Sequence, residues 1–243
     1  MKYTLIAALA VAVLAVGCQS GPTTMNSMES SMDSSMDSMG TTEFTVTVEV
    51  VSGSPTPIAP VAWAVHTGSN PYTTPEMGHQ IQGLESLAED GNPSTVDKSV
   101  AMLSNVSSHG VAAIPDGANG AGPAGPGKAY SFTVTAGEGS ALSFATMYVQ
   151  SNDLFYSPGM NGIALFQGDN PVTGNVTRMV TLYDAGTEVN EAPGMGAHQA
   201  PRQSGPNMGE DEMGQVQPVS DVMDGFTYPS VSQVLRVTIS THM

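Results

Sequence analysis

Apolar and polar residues alternate in several short stretches of the chain. The alternation is clear at residues 44–50, 130–135 and 234–239, and a period of two is typical of half-buried β-strands. Residues 61–66 and 141–149 are more continuously apolar, which predicts strands near the centre of a sheet. The pattern as a whole predicts a mainly β domain whose last strand lies close to the C-terminus.

In chain order, a change of period separates the second and third of these strands. Between residues 78 and 91, apolar residues recur at intervals of three and four, which predicts an amphipathic helix that Gly91 ends. Ser94 is expected to cap the start of a second short helix. Both helices are interpreted as an insertion into the β domain. The acidic residues expected on their solvated side are Glu85, Glu89 and Asp90.

A sixth predicted strand, at residues 176–183, runs directly into acidic residues. Asp184 follows the strand, Gly186 permits a turn, and Glu188 and Glu191 come after the turn. A bend at Gly186 lets the carboxylates of Asp184 and Glu188 converge, and two charges about 4 Å apart repel by roughly 4 kcal/mol at an effective dielectric of about 20. The cluster predicts a bound cation, and Ca²⁺ is the ion that oxygen-rich loops hold. A solvated acidic loop is the alternative.

Two long segments lack any strand or helix pattern. Residues 114–128 are rich in Pro, Gly and Ala, and residues 192–217 are polar and glycine-rich, with the acidic run Glu210, Asp211 and Glu212. Segments of this composition bury too little apolar surface to offset the entropy lost on ordering. We expect a loop at the first segment and a disordered or loosely folded loop at the second.

The first 17 residues resemble a bacterial lipoprotein signal peptide. Lys2 gives a positive start, and the apolar run at residues 4–16 is too short to span a bilayer. The small residues before Cys18 suit a lipoprotein signal peptidase, so Cys18 is predicted to carry the lipid that ties the protein to the membrane. Cys18 is the only cysteine, which excludes a disulfide within the chain. Gln19 implies sorting to the outer membrane, with the domain in the periplasm or on the cell surface.

Residues 18–42 are rich in Met and Ser and contain almost no large aliphatic or aromatic side chains. They are predicted to form a disordered tether between the lipid and the domain, because such a segment cannot offset its own ordering entropy. Thioether sulfurs also bind Cu(I), so a Met-rich periplasmic copper binder is an alternative function. The methionines concerned are Met25, Met28, Met32, Met36 and Met39.

Three short motifs resemble the spondin N-terminal domain in its bacterial, lipoprotein-borne form. They are Leu-Ala-Glu-Asp-Gly at residues 87–91, Ser-Asn-Asp-Leu-Phe at 151–155 and Tyr-Asp-Ala-Gly-Thr-Glu at 183–188. The resemblance spans residues 43–243 and implies a C2-like antiparallel β-sandwich with one structural Ca²⁺ held by loop acids at one end. Carried over position by position, the metal ligands it implies are Asp153, Asp184 and Glu188. Glutamate stands at the last position where the animal domains have aspartate, and its longer side chain is still able to bind bidentately.

Composition limits the function further. Asp and Glu number 22 against 6 Lys and Arg, so the formal net charge is −16 and nucleic acid is excluded as a partner. The sequence contains no Gly-x-Ser-x-Gly elbow, no His-Glu-x-x-His helix and no phosphate-binding glycine loop. We therefore expect a non-catalytic, envelope-anchored Ca²⁺-binding module for surface binding or adhesion, with an extracellular protein or glycan as its partner. A carboxylate-based glycan hydrolase of the envelope is the alternative from a different class.

Overall fold

Antiparallel strands dominate the part of the chain that the computed structural model describes, residues 40–74 and 80–241. The predicted signal peptide, Cys18 and most of the Met-rich tether lie outside these residues. The strands are β1 Thr42–Val50, β2 Val61–His66, β3 Val106–Ala112, β4 Ala129–Ala136, β5 Ala141–Met147, β6 Leu154–Pro158, β7 Ile163–Ala164, β8 Phe166–Gln167, β9 Asn170–Pro171, β10 Gly174–Asn175, β11 Val180–Asp184, β12 Gln217–Pro218 and β13 Leu235–Thr241. The helices are α1 Leu84–Asp90, α2 Ser94–Val100 and α3 Val231–Val234. Within the described residues, no helix has the length and apolar character needed to cross a membrane.

The strands form two antiparallel sheets that pack face to face. The first has the order β10-β13-β1-β4 and the second the order β12-β11-β6-β5-β2-β3, with β7 added to β5 and with β8 and β9 as a separate hairpin. The apolar residues of β1, which alternate with threonine and glutamate, are buried in one cluster with Leu142 and Phe144 of β5. The predicted antiparallel β-sandwich with short inserted helices is confirmed.

Most of the predicted strands lie where the alternation places them. Five of the six correspond to β1, β2, β4, β5 and β13. The sixth is shorter than predicted, because Thr177–Met179 form a turn of 3₁₀ helix and β11 starts only at Val180. The sequence does not predict β3 or β6, because β3 contains the polar run Ser-Ser-His-Gly and β6 is a short strand that ends in Ser-Pro.

The helix α2 lies where the sequence predicts it, whereas α1 begins only at Leu84, later than the predicted stretch 78–91. Both helices cover the outer face of the second sheet. Leu84 and Leu87 of α1 pack with Phe155 of β6 and Tyr183 of β11 in a second hydrophobic cluster. Gly91 ends α1 with a φ of 67°. Since the other face of the same sheet lines the sandwich core, the second sheet is buried on both sides.

Two details of these helices differ from the prediction. Pro93 occupies the N-cap position of α2, and Ser94 is already inside the helix. Glu89 of α1 is only 2% exposed instead of solvated, because the loop after β11 lies against this side of the helix. Glu85 is exposed as predicted, and Asp90 is half-buried. The helix therefore presents a buried acidic side chain to the loop after β11.

Candidate metal centre

The strands β6 and β11 carry Asp153 and Asp184 to the same place. They pair antiparallel, with Leu154 opposite Asp184, and Asp153 immediately precedes Leu154. The backbone N–H of Ala185 donates to the carbonyl oxygen of Asp153 at 3.2 Å. Both aspartates are 0% exposed. Two carboxyl groups that are far apart in the sequence are therefore buried side by side.

The turn at Gly186 folds around these two carboxylates. Asp184 Oδ1 accepts the Gly186 N–H at 2.5 Å. Asp153 Oδ2 accepts the backbone N–H groups of Thr187 at 2.9 Å and of Glu188 at 3.1 Å, and the Thr187 hydroxyl at 3.3 Å. Because buried N–H groups need acceptors, the aspartates fix the conformation of the turn as well as its charge.

A third segment, residues 209–218, closes over the turn, and we call it the strap. The Glu212 N–H donates to the Thr187 carbonyl at 3.0 Å, and the Gly214 N–H donates to the Gly186 carbonyl at 2.7 Å. Further along, β12 pairs with the end of β11. The prediction of a loosely folded loop is wrong for this segment, because backbone hydrogen bonds that its polar sequence does not reveal hold it against the turn.

The strap brings Glu212 to the two aspartates. One carboxylate oxygen from each of Asp153, Asp184 and Glu212 lies within 4.8 Å of the others. Oxygens that share one Ca²⁺ at about 2.3–2.6 Å are at most about 5.2 Å apart, so this spacing fits one ion. The aspartates are buried and Glu212 is exposed, so the group reaches solvent through Glu212. The three carboxylates can hold a metal ion.

Two of the three predicted ligands, Asp153 and Asp184, belong to this group. Glu188 does not: its side chain is 1% exposed, and its Oε1 accepts the Gly209 N–H at 2.7 Å. A ligand role for Glu188 stays a prediction. The sequence does not assign Glu212 to the site, and the acidic run in which it lies is the signal that points to it.

Burial makes the carboxyl groups of the centre hard to ionise. It raises the pKa of Asp153 well above its usual range, and the charge of Asp184 raises that pKa further. Burial also raises the pKa of Asp184, while the Gly186 N–H and the Asn190 amide lower it. Burial raises the pKa of Glu212, and the charge of Asp184 adds to the effect. In the described part of the chain the ion pairs involve other acids, so no Lys or Arg neutralises the group.

Several buried oxygens at this end of the sandwich have no hydrogen-bond partner within the described residues. They include Asp153 Oδ1, Glu188 Oε2 and Asn190 Oδ1. A buried polar atom without a partner costs roughly 1–3 kcal/mol, and more when it is charged. A cation satisfies such oxygens, and an all-oxygen donor set suits a hard divalent ion. The residues present therefore fit an oxygen-ligated metal ion.

Gly186→Ala is expected to destabilise the protein more than a glycine substitution in open space. Gly186 has a φ of +69°, and a Cβ there would lie 2.6 Å from the backbone nitrogen of Gln215 beside the turn. We expect the free energy of unfolding to fall by about 2–4 kcal/mol, measured by urea denaturation. The control is Gly139→Ala, at φ +77° with nothing within 4 Å, where strain alone costs about 1–2 kcal/mol. Equal losses in the two variants would contradict close packing of the strap on the turn.

Neither a scan of protein-family models nor a search of curated proteins finds a match to this chain. The chemistry of the centre therefore follows from its own residues. These are a buried carboxylate just before β6, another at the end of β11 and a third on the strap, with no basic partner among the described residues.

Proposed function

We propose that the protein is a Ca²⁺-binding β-sandwich module of the bacterial cell envelope, non-catalytic and anchored through the lipid on Cys18. The observation that carries the proposal is the pair Asp153 and Asp184, which are fully buried side by side without a basic partner in the described residues. Buried like charges are stable together only when a cation or a proton neutralises them. In this proposal Ca²⁺ neutralises them at neutral pH.

The donor set favours Ca²⁺ over other divalent ions. Cys and His ligands, which Zn²⁺ and Cu²⁺ prefer, are absent from the group of Asp153, Asp184 and Glu212. Mg²⁺ demands near-ideal octahedral geometry and keeps several waters, whereas Ca²⁺ accepts six to eight oxygens in flexible arrangements. Carboxylates from three separate segments, two of them buried, match the second preference.

The role of the ion in this proposal is structural. Asp153 lies just before β6, Asp184 lies at the end of β11, and Glu212 lies in the strap. An ion that binds all three holds two strands and a loop together, so its binding energy adds to the stability of the folded state. The end of the sandwich becomes rigid only when the ion is bound.

The loops beside the centre expose large apolar side chains. Met213 follows Glu212 directly and is 92% exposed, and Met223 is 98% exposed. Asp224 follows Met223. Burial is the main cause that raises the pKa of Asp184, and the charge of Asp224 raises it further. The loop that carries Met223 and Asp224 therefore also lies near the centre. Methionine side chains are flexible and adapt to varied partners. In the proposal, Ca²⁺ orders these loops for an extracellular protein or glycan.

The cellular setting in this proposal rests on the sequence. A signal-peptide pattern before Cys18 and the resemblance to bacterial spondin-domain lipoproteins support an envelope anchor. The net charge of −16 disfavours direct contact with anionic lipid head groups. A tether and a lipid would therefore hold the domain near a membrane that its own surface does not bind.

A glycan hydrolase that uses the same carboxylates is less well supported. Asp153 and Asp184 are 0% exposed, whereas the two catalytic carboxyl groups of a glycosidase must flank the scissile bond. A sugar chain reaches these two groups only if the strap opens. The buried pair supports ion binding instead.

Ca²⁺ titration of the chelator-treated full chain tests the proposal. At about 100 times Kd the ion contributes about 2.7 kcal/mol, which should raise Tm by about 5–10 °C for a protein of this size. Asp184→Asn should abolish the rise. The control is Asp169→Asn, which removes the same charge from the exposed turn between β8 and β9 and should keep the rise. A wild-type Tm that does not respond to Ca²⁺ would overturn the proposal.

A further inference from the structure

A second pair of buried acids lies next to the proposed Ca²⁺ site. Glu89, near the C-terminal end of α1, is 2% exposed, and Glu188, in the turn after β11, is 1% exposed. Each has one carboxylate oxygen, Glu89 Oε1 and Glu188 Oε2, with no hydrogen-bond partner in the described residues. Neither belongs to the group of Asp153, Asp184 and Glu212. Neither acid forms an ion pair within the described residues, and the charge that lowers the pKa of Glu188 is that of His198, which is itself paired with Glu191.

The two acids interact with each other and with the first site. Burial raises the pKa of Glu89 to about 7, a hydrogen bond with the Thr187 side chain lowers it, and the charge of Glu188 raises it. The Thr187 hydroxyl oxygen also lies 3.3 Å from Asp153 Oδ2. One threonine side chain thus connects the second pair to an aspartate of the first site.

The helix adds to the negative potential around Glu89. The C-terminal end of a helix carries partial negative charge, and Asp90 follows Glu89 directly at the end of α1. The ion pairs found in residues 40–74 and 80–241 use other acids. A buried carboxylate in this position needs a positive charge that the described residues do not supply.

Gly209 has no side chain, and this leaves space for the carboxylate of Glu188. Its N–H donates to Glu188 Oε1 at 2.7 Å, and a Cβ at this position would lie 2.1 Å from Glu188 Oε2. Any other residue here would displace the carboxylate. Glycine lets the strap hold one oxygen of Glu188 while the other oxygen remains available.

We propose that Glu89 and Glu188 bind a second divalent cation beside the first. The inference rests on the proposed function, because the ion at Asp153 fixes the turn that carries Glu188. The donors are carboxylate oxygens with a threonine hydroxyl close by, so the ligand is a hard cation of the Ca²⁺ class. The second ion joins α1 to the turn, which the first ion joins to the strap.

Metal stoichiometry in the full chain tests this second site. Chelator-treated protein is dialysed to equilibrium against Ca²⁺, and the bound metal is counted by mass spectrometry. Wild type is expected to hold two ions per chain and Glu89→Gln one. The control is Glu85→Gln, which removes the same charge from the exposed side of the same helix and should keep two ions. Glu188→Gln retains an acceptor for the Gly209 N–H and should also hold one.

The outcomes separate this inference from the proposed function. One ion in wild type and one in Glu89→Gln overturns the second site and leaves the first standing. No ion in wild type overturns both. Glu89→Gln should melt in chelator at the same temperature as wild type or higher, because the substitution removes a buried charge. A lower ion count in a variant of undiminished stability then reports the loss of a ligand.

Discussion

Asp153→Ala is expected to lower the free energy of unfolding by about 3 kcal/mol in chelator, and by about 6 kcal/mol at a Ca²⁺ concentration 100 times Kd. In chelator the loss arises because the N–H groups of Thr187 and Glu188 lose their acceptor, at roughly 1–3 kcal/mol each. Relief of the repulsion with Asp184 offsets part of it. With Ca²⁺ the ion's own contribution of about 2.7 kcal/mol is lost as well. Urea denaturation under both conditions measures the two losses.

Asp153→Asn separates the two roles of this side chain. The amide oxygen still accepts the N–H groups of the turn, so stability in chelator should stay within about 1 kcal/mol of wild type. The uncharged amide is a weaker ligand, so most of the stabilisation by Ca²⁺ should disappear. If Asp153→Asn keeps the full Ca²⁺ response, the ion does not bind at this carboxylate. If Asp153→Ala loses stability only in Ca²⁺, the hydrogen bonds to the turn contribute little.

The sequence predicts the strands in which buried apolar side chains alternate with polar ones. In β1 the buried residues alternate strictly with threonine and glutamate, so its inward face follows from the period of two. In β6 all five residues, Leu154–Pro158, are buried, so no alternation marks the strand. The sandwich core buries one face of β6 and the helix α1 covers the other. A short run that ends in Ser-Pro contains no sign of that environment.

The site depends on contacts between distant segments, which explains what sequence analysis misses. Asp153 and Asp184 meet because β6 and β11 pair with Leu154 opposite Asp184, and no local pattern contains that register. Backbone hydrogen bonds between the strap and the turn hold Glu212 next to the two aspartates. Glu89 lies off the apolar stripe of α1, so periodicity predicts exposure, and the turn after β11 buries it instead.

In chelator, the free energy of unfolding is expected to fall as pH rises from about 4.5 to about 7. Burial raises the pKa of Glu89 from 4.5 to about 7, and it also raises the pKa values of Asp153, Asp184, Glu188 and Glu212. At a pH below the pKa values of the unfolded chain, these groups are protonated in both the folded and the unfolded state, and the protein keeps its full stability. Above them the folded state holds protons that the unfolded chain has released, so stability is lost as pH rises through the folded values. At about 1.36 kcal/mol per unit, Glu89 alone accounts for up to about 3 kcal/mol.

Saturating Ca²⁺ should remove most of this decline. The ion binds the deprotonated carboxylates, so its affinity rises with pH and its binding releases protons. The gap between the stability curves measured with Ca²⁺ and with chelator should therefore widen from about pH 4.5 to about pH 7.5. Proton release on binding is measurable by calorimetry in buffers of different ionisation enthalpy.

Urea denaturation across this pH range tests whether the free energy of unfolding falls or rises with pH. The measurements are made in high KCl to screen repulsion between surface charges. Glu89→Gln should reduce the slope in chelator. The exposed control Glu85→Gln should change it much less, because the charge of Glu85 raises the pKa of Glu89 less than burial does. The opposite sign is typical of proteins whose carboxylates are ion-paired when folded, because their pKa values are lowered. Stability that rises from pH 4.5 to 7 in chelator would mean that groups of the chain itself neutralise these acids. An ion would then be unnecessary for holding Asp153 and Asp184 together.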